Sequence, residues 1–353
     1  MKHRMDKTVG ILSAGAWGTA MGKILAEKGI DVTVWDYVPE VVHDINTLHI
    51  NGKYLPGVVL PEKLKAVANM EEAVSGKDFL IIASPSLYLL QIIKQLIQFK
   101  DIQEGKVTIG VLTKGFLPSP AGPRLILESM EDYLPGFYRS NLVYISGPSH
   151  AEEVSRGKLT GLISASSNPK NSIRFRELIS SRLVIVFSSL DVAGVQTCAA
   201  SKNVIAIAFG MLDALLGYSD VFGDNTESLL LAAGLNEIQT LGQALGSTHP
   251  ETFTSIAGVG DLDVTCRSKY GRNRRFGKQI IEDNILYRYT NLDDLIENIH
   301  SIGYLPEGVI ACKYVQQIAE KYKLRLPISS TVYKILNKEA DPFEAIREVL
   351  SIL

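Results

Sequence analysis

Residues 7–36 decide the fold: KTVGILSAGAWGTAMGKILAEKGIDVTVWD. Lys7 to Leu12 is an apolar, β-branched run that predicts a strand. Trp17 to Lys28 predicts a helix, stopped by Gly29. Asp31 to Trp35 predicts the next strand. Between the first strand and the helix stands Ser13-Ala14-Gly15-Ala16-Trp17-Gly18. It carries the second and third glycines of the G-x-G-x-x-G dinucleotide fingerprint, with a serine in place of the first. Gly15 lets the backbone approach a pyrophosphate seated on the helix N-terminus, with Ala16 and Trp17 beside it. Gly18 lets the helix pack close to the strand. Ser13 has to make the tight turn without glycine's freedom, so strain or a shifted turn is expected. Asp36 ends the second strand. An acid there takes the adenosine ribose hydroxyls and repels a 2′-phosphate, which favours NAD over NADP. The plain alternative is that Asp36 caps the helix before Pro39; the strand-end context favours the cofactor contact.

Strand–helix alternation continues outward from this unit. Further strands are predicted at Asp78 to Ala83, Val107 to Leu112, Leu142 to Ser146, Leu159 to Ala165 and Leu183 to Phe187. These runs are apolar on both faces, as a sheet covered by helices on each side requires. The pattern is that of a doubly wound, Rossmann-like α/β domain. From Asp191, a candidate N-cap, nearly everything reads as helix. The expected division is a dinucleotide-binding domain over residues 1–189 and an all-α substrate domain over 190–353, packed with a cleft between them.

Composition narrows the class. A chain of 353 residues with 46% hydrophobic and 21% charged residues is an ordinary globular protein of two domains. The three cysteines, Cys198, Cys266 and Cys312, show no C-x-x-C spacing, so neither a disulfide framework nor a metal site is expected. The net charge of −2 gives no reason to expect nucleic acid or an anionic membrane as partner. The Lys2-His3-Arg4 start precedes an apolar stretch broken by Gly10, Gly15 and Gly18, unlike a signal core. Residues 192–212 are apolar but hold Gln196-Thr197 and Ser201-Lys202-Asn203 at their centre, which a membrane span disfavours. A soluble, cytoplasmic protein is expected.

Lys202 is the only charge between Asp191 and Asp213. On a helix it lines up with Val195, Ala199, Ala206 and Phe209. A lysine on an apolar stripe is desolvated, which lowers its proton affinity and suits acid/base work near neutral pH. The alternative, a lysine reaching the surface along its stem, is weakened because the helix is apolar almost all round. Lys114 follows a predicted strand in Thr113-Lys114-Gly115, at the end that faces the ligand crevice. Asp261 is a carboxylate flanked by Gly258 and Gly260. Arg272-Asn273-Arg274-Arg275 is a tight basic cluster, and a guanidinium fork matches a phosphate.

Together these residues resemble the NAD(P)-dependent glycerol-3-phosphate dehydrogenase family. The likeness runs from about Val9 to Leu350. Its motifs are the A-G-A-W-G-T-A turn ending at Ala20, Thr113-Lys114-Gly115, Ile145 to Val154 (ISGPSHAEEV), Lys202 to Ala208 (KNVIAIA), Gly223-Asp224-Asn225, Gly260-Asp261-Leu262, Arg272 to Gly277 (RNRRFG) and Glu307-Gly308. The resemblance implies hydride transfer between the nicotinamide and the glycerol 3-phosphate/dihydroxyacetone phosphate pair, making glycerol 3-phosphate for phospholipid synthesis. It implies that Lys202 is the general acid/base, Lys114 a contact to substrate and cofactor, and Asp261 a substrate-side acid. Gly147 and Ser149 match substrate contacts, and Ala151 a cofactor contact. Arg272 and Asn273, preceded by Gly271, match the phosphate-binding segment, with Arg272 also near the cofactor. Leu305 and Glu307 match residues that close over the cofactor. A homodimer is the expected assembly.

The chain departs from the family at Ser13, at Gly271 where many members carry serine, and at Ala233 where an arginine is common. Tyr37 stands where NADP-using members tend to carry a basic residue. Two alternatives remain: a related 3-hydroxyacid-type dehydrogenase, and a catalytically weak NAD-binding sensor.

Overall fold

The β-branched runs of the first half pair into one eight-stranded sheet. The computed structural model describes residues 7–218 and 220–352; the Lys2-His3-Arg4 start lies outside them. The strands are β1 (Thr8–Leu12), β2 (Asp31–Trp35), β3 (Leu64–Val67), β4 (Phe79–Ile82), β5 (Thr108–Val111), β6 (Val143–Ser146), β7 (Thr160–Ala165) and β8 (Val184–Ser189). They lie in the order β8-β7-β6-β5-β4-β1-β2-β3. The first six are parallel; β7 runs antiparallel to β6, and β8 parallel to β7. The chain leaves β1 for β2 on one side and later returns to place β4 on the other. That reversal makes the carboxyl edge beside β1 the ligand crevice of such a sheet. Strand β3 and a hairpin of Ile50–Asn51 with Leu55–Val59 carry no apolar run that the sequence pattern recognises.

Helix α1 (Ala16–Glu27) buries Ala20, Met21, Ile24 and Leu25 in the core of this unit. Gly18 is where the packing is tightest: a Cβ there would fall 2.0 Å from the Ser13 carbonyl oxygen. One expectation fails at the sheet's edge. Strand β8 is not covered on both faces, because Val184 and Val186 are buried while Ile185 and Phe187 are about half exposed. At this edge only one face of the strand is covered within the unit.

The chain forms two compact units. One holds the residues up to Leu117 together with Ile126–Val192; the other holds Pro118–Leu125 and the chain from Ala193 onward. The excursion Pro118–Leu125 has no counterpart in a single boundary near Ser189. It is tied to the second unit where Lys321 Nζ donates to the Ala121 carbonyl at 3.1 Å.

The second unit is built on helices around α2 (Val192–Leu215). Its other members include α3 (Asp224–Ala244), α4 (Asp261–Arg267), α5 (Arg272–Glu282), α6 (Glu307–Tyr322) and α7 (Pro327–Leu336). By length and composition α2 is apolar enough to cross a membrane, yet 94% of its apolar window is buried within the fold. Three glycines bring backbones into contact with it. A Cβ on Gly210 would lie 1.9 Å from the Arg274 carbonyl, one on Gly277 2.0 Å from that of Ile207, and one on Gly308 2.5 Å from that of Asn203.

Candidate active site

In the first unit the carboxyl edge of the sheet gathers the segments singled out in the sequence. Residues 13–18 follow β1, Lys114 follows β5, and Gly147 and Ser149 follow β6. Ser13 adopts φ +86°, the left-handed conformation that the missing glycine would take without strain. Its Oγ accepts the Gly15 N–H at 3.3 Å. Gly147 has φ +115°, and a Cβ there would sit 3.0 Å from the Gly161 carbonyl, so glycine is required. Ser149 Oγ donates back to the Gly147 carbonyl at 2.9 Å. The Lys114 loop is anchored by Thr113, whose Oγ1 donates to the Ser84 carbonyl at 2.7 Å and whose own carbonyl accepts the Tyr144 hydroxyl at 2.9 Å. Ala151 is buried as the first residue of the short helix Ala151–Val154.

Asp36 is 2% exposed. Its Oδ2 accepts the Ala14 N–H at 2.9 Å and its Oδ1 the Val38 N–H at 3.0 Å. Burial pushes its carboxyl above the ordinary range, opposed by these backbone hydrogen bonds and by the Lys53 charge. The carboxylate thus braces the glycine-rich turn and the entry to the helix at Pro39.

Three observations test whether a dinucleotide fits here. No side chain caps α1, so its first-turn N–H groups are available to a pyrophosphate. A Cβ on Gly15 would meet only Ser13 Oγ, at 3.5 Å, which leaves the approach open. The Ser84 hydroxyl at the end of β4 is buried without a partner, a further polar atom for a ligand to satisfy. The residues fit the group.

In the second unit Lys202 is not the lone desolvated ammonium that the sequence suggests. Its Nζ pairs with Asp261 Oδ1 and donates to Thr265 Oγ1 at 2.8 Å. Thr265 Oγ1 in turn donates to the Asp261 carbonyl at 2.6 Å. Lys202 is 5% exposed and Asp261 1%. The pairing has a physical cause: a buried ammonium needs a counter-charge, and Asp261 supplies it. Asp261 reaches this place because the π-helical turn Ile256–Gly260 precedes α4. That turn closes tightly at Gly258, where a Cβ would fall 2.0 Å from the Phe253 carbonyl. Ser201 Oγ, adjacent on α2, is buried without a partner.

The basic cluster divides by role. Arg274 pairs with Asp213 and donates to the Arg267 carbonyl. Arg275 lies over the Tyr304 ring, 4.6 Å from its centroid. Arg272 is exposed at the first position of α5. Asn273 is buried, and its Oδ1 accepts the Gly308 N–H at 2.8 Å at the start of α6. This contact ties the segment of Leu305 and Glu307 to α5. Gly271 precedes α5 with the carbonyls of Thr265 and Ser268 only 3.0 and 3.1 Å from where a Cβ would stand, so a serine would crowd this turn. Thr265, which touches Lys202, and Asn51, whose Nδ2 donates to the Ala14 carbonyl in the glycine-rich turn, are not marked by sequence spacing, since these partners lie 63 and 37 positions away.

Known proteins match this architecture along nearly its full length. The family model for the NAD-dependent glycerol-3-phosphate dehydrogenase N-terminus matches residues 8–172, and that for the C-terminus matches residues 191–347. The chain is 57% identical to the glycerol-3-phosphate dehydrogenase [NAD(P)+] of Treponema denticola, over 98% of this chain and 99% of that one. It is 50% identical to that of Treponema pallidum (strain Nichols), over 97% and 99%. The solved glycerol-3-phosphate dehydrogenase of Coxiella burnetii superposes with a TM-score of 0.84 at 31% identity, covering 98% of this chain and 99% of that one. A 2-dehydropantoate 2-reductase of Bacillus subtilis superposes at 0.53 with 16% identity, a likeness of fold alone. The chain belongs to the NAD-dependent glycerol-3-phosphate dehydrogenase family.

Proposed function

We propose that the chain is an oxidoreductase that moves a hydride between NAD(H), with NADP(H) also admitted, and the glycerol 3-phosphate/dihydroxyacetone phosphate pair. The buried Lys202–Asp261–Thr265 constellation carries this reading. A ketone reduced to an alcohol needs one proton at oxygen as hydride arrives at carbon. The bound nicotinamide supplies that hydride. Lys202 Nζ holds the proton and gives it to the ketone oxygen, while its positive charge stabilises the developing alkoxide. Asp261 and Thr265 fix the ammonium in one position, so little reorganisation is needed when charge moves. Lys114 is assigned a second cationic contact to substrate and cofactor. Gly147 and Ser149 are assigned to the substrate, and Ala151, Leu305 and Glu307 to the cofactor.

Arg272, exposed at the start of α5, anchors the substrate phosphate. Among the described residues the Nδ2 of Asn273 has no acceptor, so it is available to a phosphate oxygen. An anchored phosphate supplies binding energy remote from the reacting carbon and orients the ketone. The same reading assigns a cytoplasmic homodimer, which sedimentation and fractionation test.

Loss of NADH absorbance on adding dihydroxyacetone phosphate, repeated with NADPH, tests the reaction. Turnover is expected. NADH binding without turnover would point to a sensor. Turnover only with hydroxy- or oxo-acids would point to a related dehydrogenase.

A further inference from the structure

The adenosine end of the first unit is built by contacts that the glycine motif does not announce. Asn51, 1% exposed, lies in the hairpin that follows β2. Its Nδ2 donates to the Ala14 carbonyl at 2.7 Å and to Thr19 Oγ1 at 2.8 Å. Its Oδ1 accepts the Tyr54 N–H at 3.1 Å. The hairpin turn of residues 52–54 is therefore pinned to the same residue, Ala14, whose N–H is held by Asp36. Lys53, at the tip of that turn, is exposed, and its Nζ lies 5.2 Å from the centroid of the Tyr54 ring. Its ammonium is held above its ordinary proton affinity first by Tyr54, with smaller attractions from Tyr37, which is 74% exposed, and from Asp36.

This arrangement alters what Asp36 does. Both of its oxygens already serve backbone N–H groups, and the side chain is buried. Its charge, which on an open strand end would repel a 2′-phosphate, is offset here by these backbone hydrogen bonds and by the charge of Lys53 on the turn that Asn51 pins to Ala14. That lysine is not consumed in a buried pair. A phosphate arriving beside it meets a flexible, solvated cation.

We propose that Lys53 is a specificity-determining residue of the ribose subsite, pairing its ammonium with the 2′-phosphate of NADP(H) while Asp36 acts as a positioning residue for the turn. The chain then accepts both nucleotides, and Lys53 sets the ratio. The proposal rests on the reading of the first unit as a dinucleotide site.

Calorimetric titration with 2′,5′-ADP and with 5′-ADP isolates the subsite from catalysis. Lys53→Ala is expected to weaken 2′,5′-ADP by roughly tenfold or more, the order of one charge-assisted contact. The same variant is expected to change 5′-ADP by less than about twofold. Lys53→Glu should widen the loss and Lys53→Arg restore it. The wild-type preference should shrink as salt is raised, since the contact is exposed. A Lys53→Ala variant with an unchanged ratio of the two affinities overturns the proposal and leaves the dinucleotide site standing. A wild-type protein that binds neither nucleotide overturns both.

Discussion

Lys202 shows how one side chain carries two costs at once. Removing its ammonium leaves Asp261, 1% exposed, as a buried carboxylate without a counter-charge. Breaking such a pair costs about 3–5 kcal/mol. Lys202→Ala is therefore expected to lower the urea midpoint as well as to cut turnover by roughly a hundred- to ten-thousand-fold, the usual weight of a general acid. The paired variant Lys202→Met/Asp261→Asn should recover much of the stability and none of the turnover. Denaturation and steady-state kinetics on both variants check this; a double variant as unstable as the single would show that the unpaired charge is not the cause. Ser13 carries strain of a different kind. A non-glycine residue at φ +86° costs about 1–2 kcal/mol, and glycine gives back roughly 0.5–1 kcal/mol of that as unfolded-chain entropy. Ser13→Gly is thus expected to stabilise by about 0–1.5 kcal/mol, seen as a small rise in Tm by calorimetry.

Helices α2 and α5 touch backbone to backbone, and that contact positions the segment proposed to bind phosphate. Gly210 and Gly277 face each other's helices with no room for a methyl group. Overpacking costs about 1–3 kcal/mol, and here the obstacle is backbone rather than a side chain that can rotate away. Gly277→Ala is expected to push α5 outward, carrying Arg272 and Asn273 with it. KM for dihydroxyacetone phosphate should then rise by more than kcat falls, because the displaced groups are those proposed to bind the phosphate and Lys202 stays on α2. A kinetic comparison with NADH held saturating decides this; a pure loss of kcat would place the effect on Lys202 instead. Strand β8 differs from its neighbours for an element-level reason too: as an edge it keeps Ile185 and Phe187 partly in solvent, although the sequence run is apolar throughout.

At the scale of the whole molecule, buried carboxylates shape stability against pH. Glu237 on α3 accepts hydrogen bonds from the Ile328 N–H and from the N–H and hydroxyl of Ser329, at the start of α7. Burial nevertheless pushes its carboxyl above the ordinary value of 4.5. A carboxyl raised in the folded state binds more protons folded than unfolded. Its contribution is full below about pH 4.5 and is lost as pH rises through the folded value. Glu237→Gln removes that dependence and adds a constant cost for the mismatched amide, about 1–3 kcal/mol. In urea titrations at stepped pH the wild type should lose stability relative to Glu237→Gln as pH rises through this window; a constant difference would mean that Glu237 titrates normally. The sequence by itself determined seven of the eight strands of the sheet, because strand and helix periods are local and need only neighbouring residues to be expressed. It also determined the glycine-rich turn and the singular charge of Lys202. Only the tertiary structure decided that Lys202 pairs with Asp261, 59 positions away, that Arg274 and Arg275 take other partners while Arg272 stays exposed at the start of α5, and that Asn51 pins the turn carrying Lys53 to Ala14. Such partners are chosen by the paths of turns and by backbone contacts at glycines, and periodicity records which face is buried but not what it is buried against.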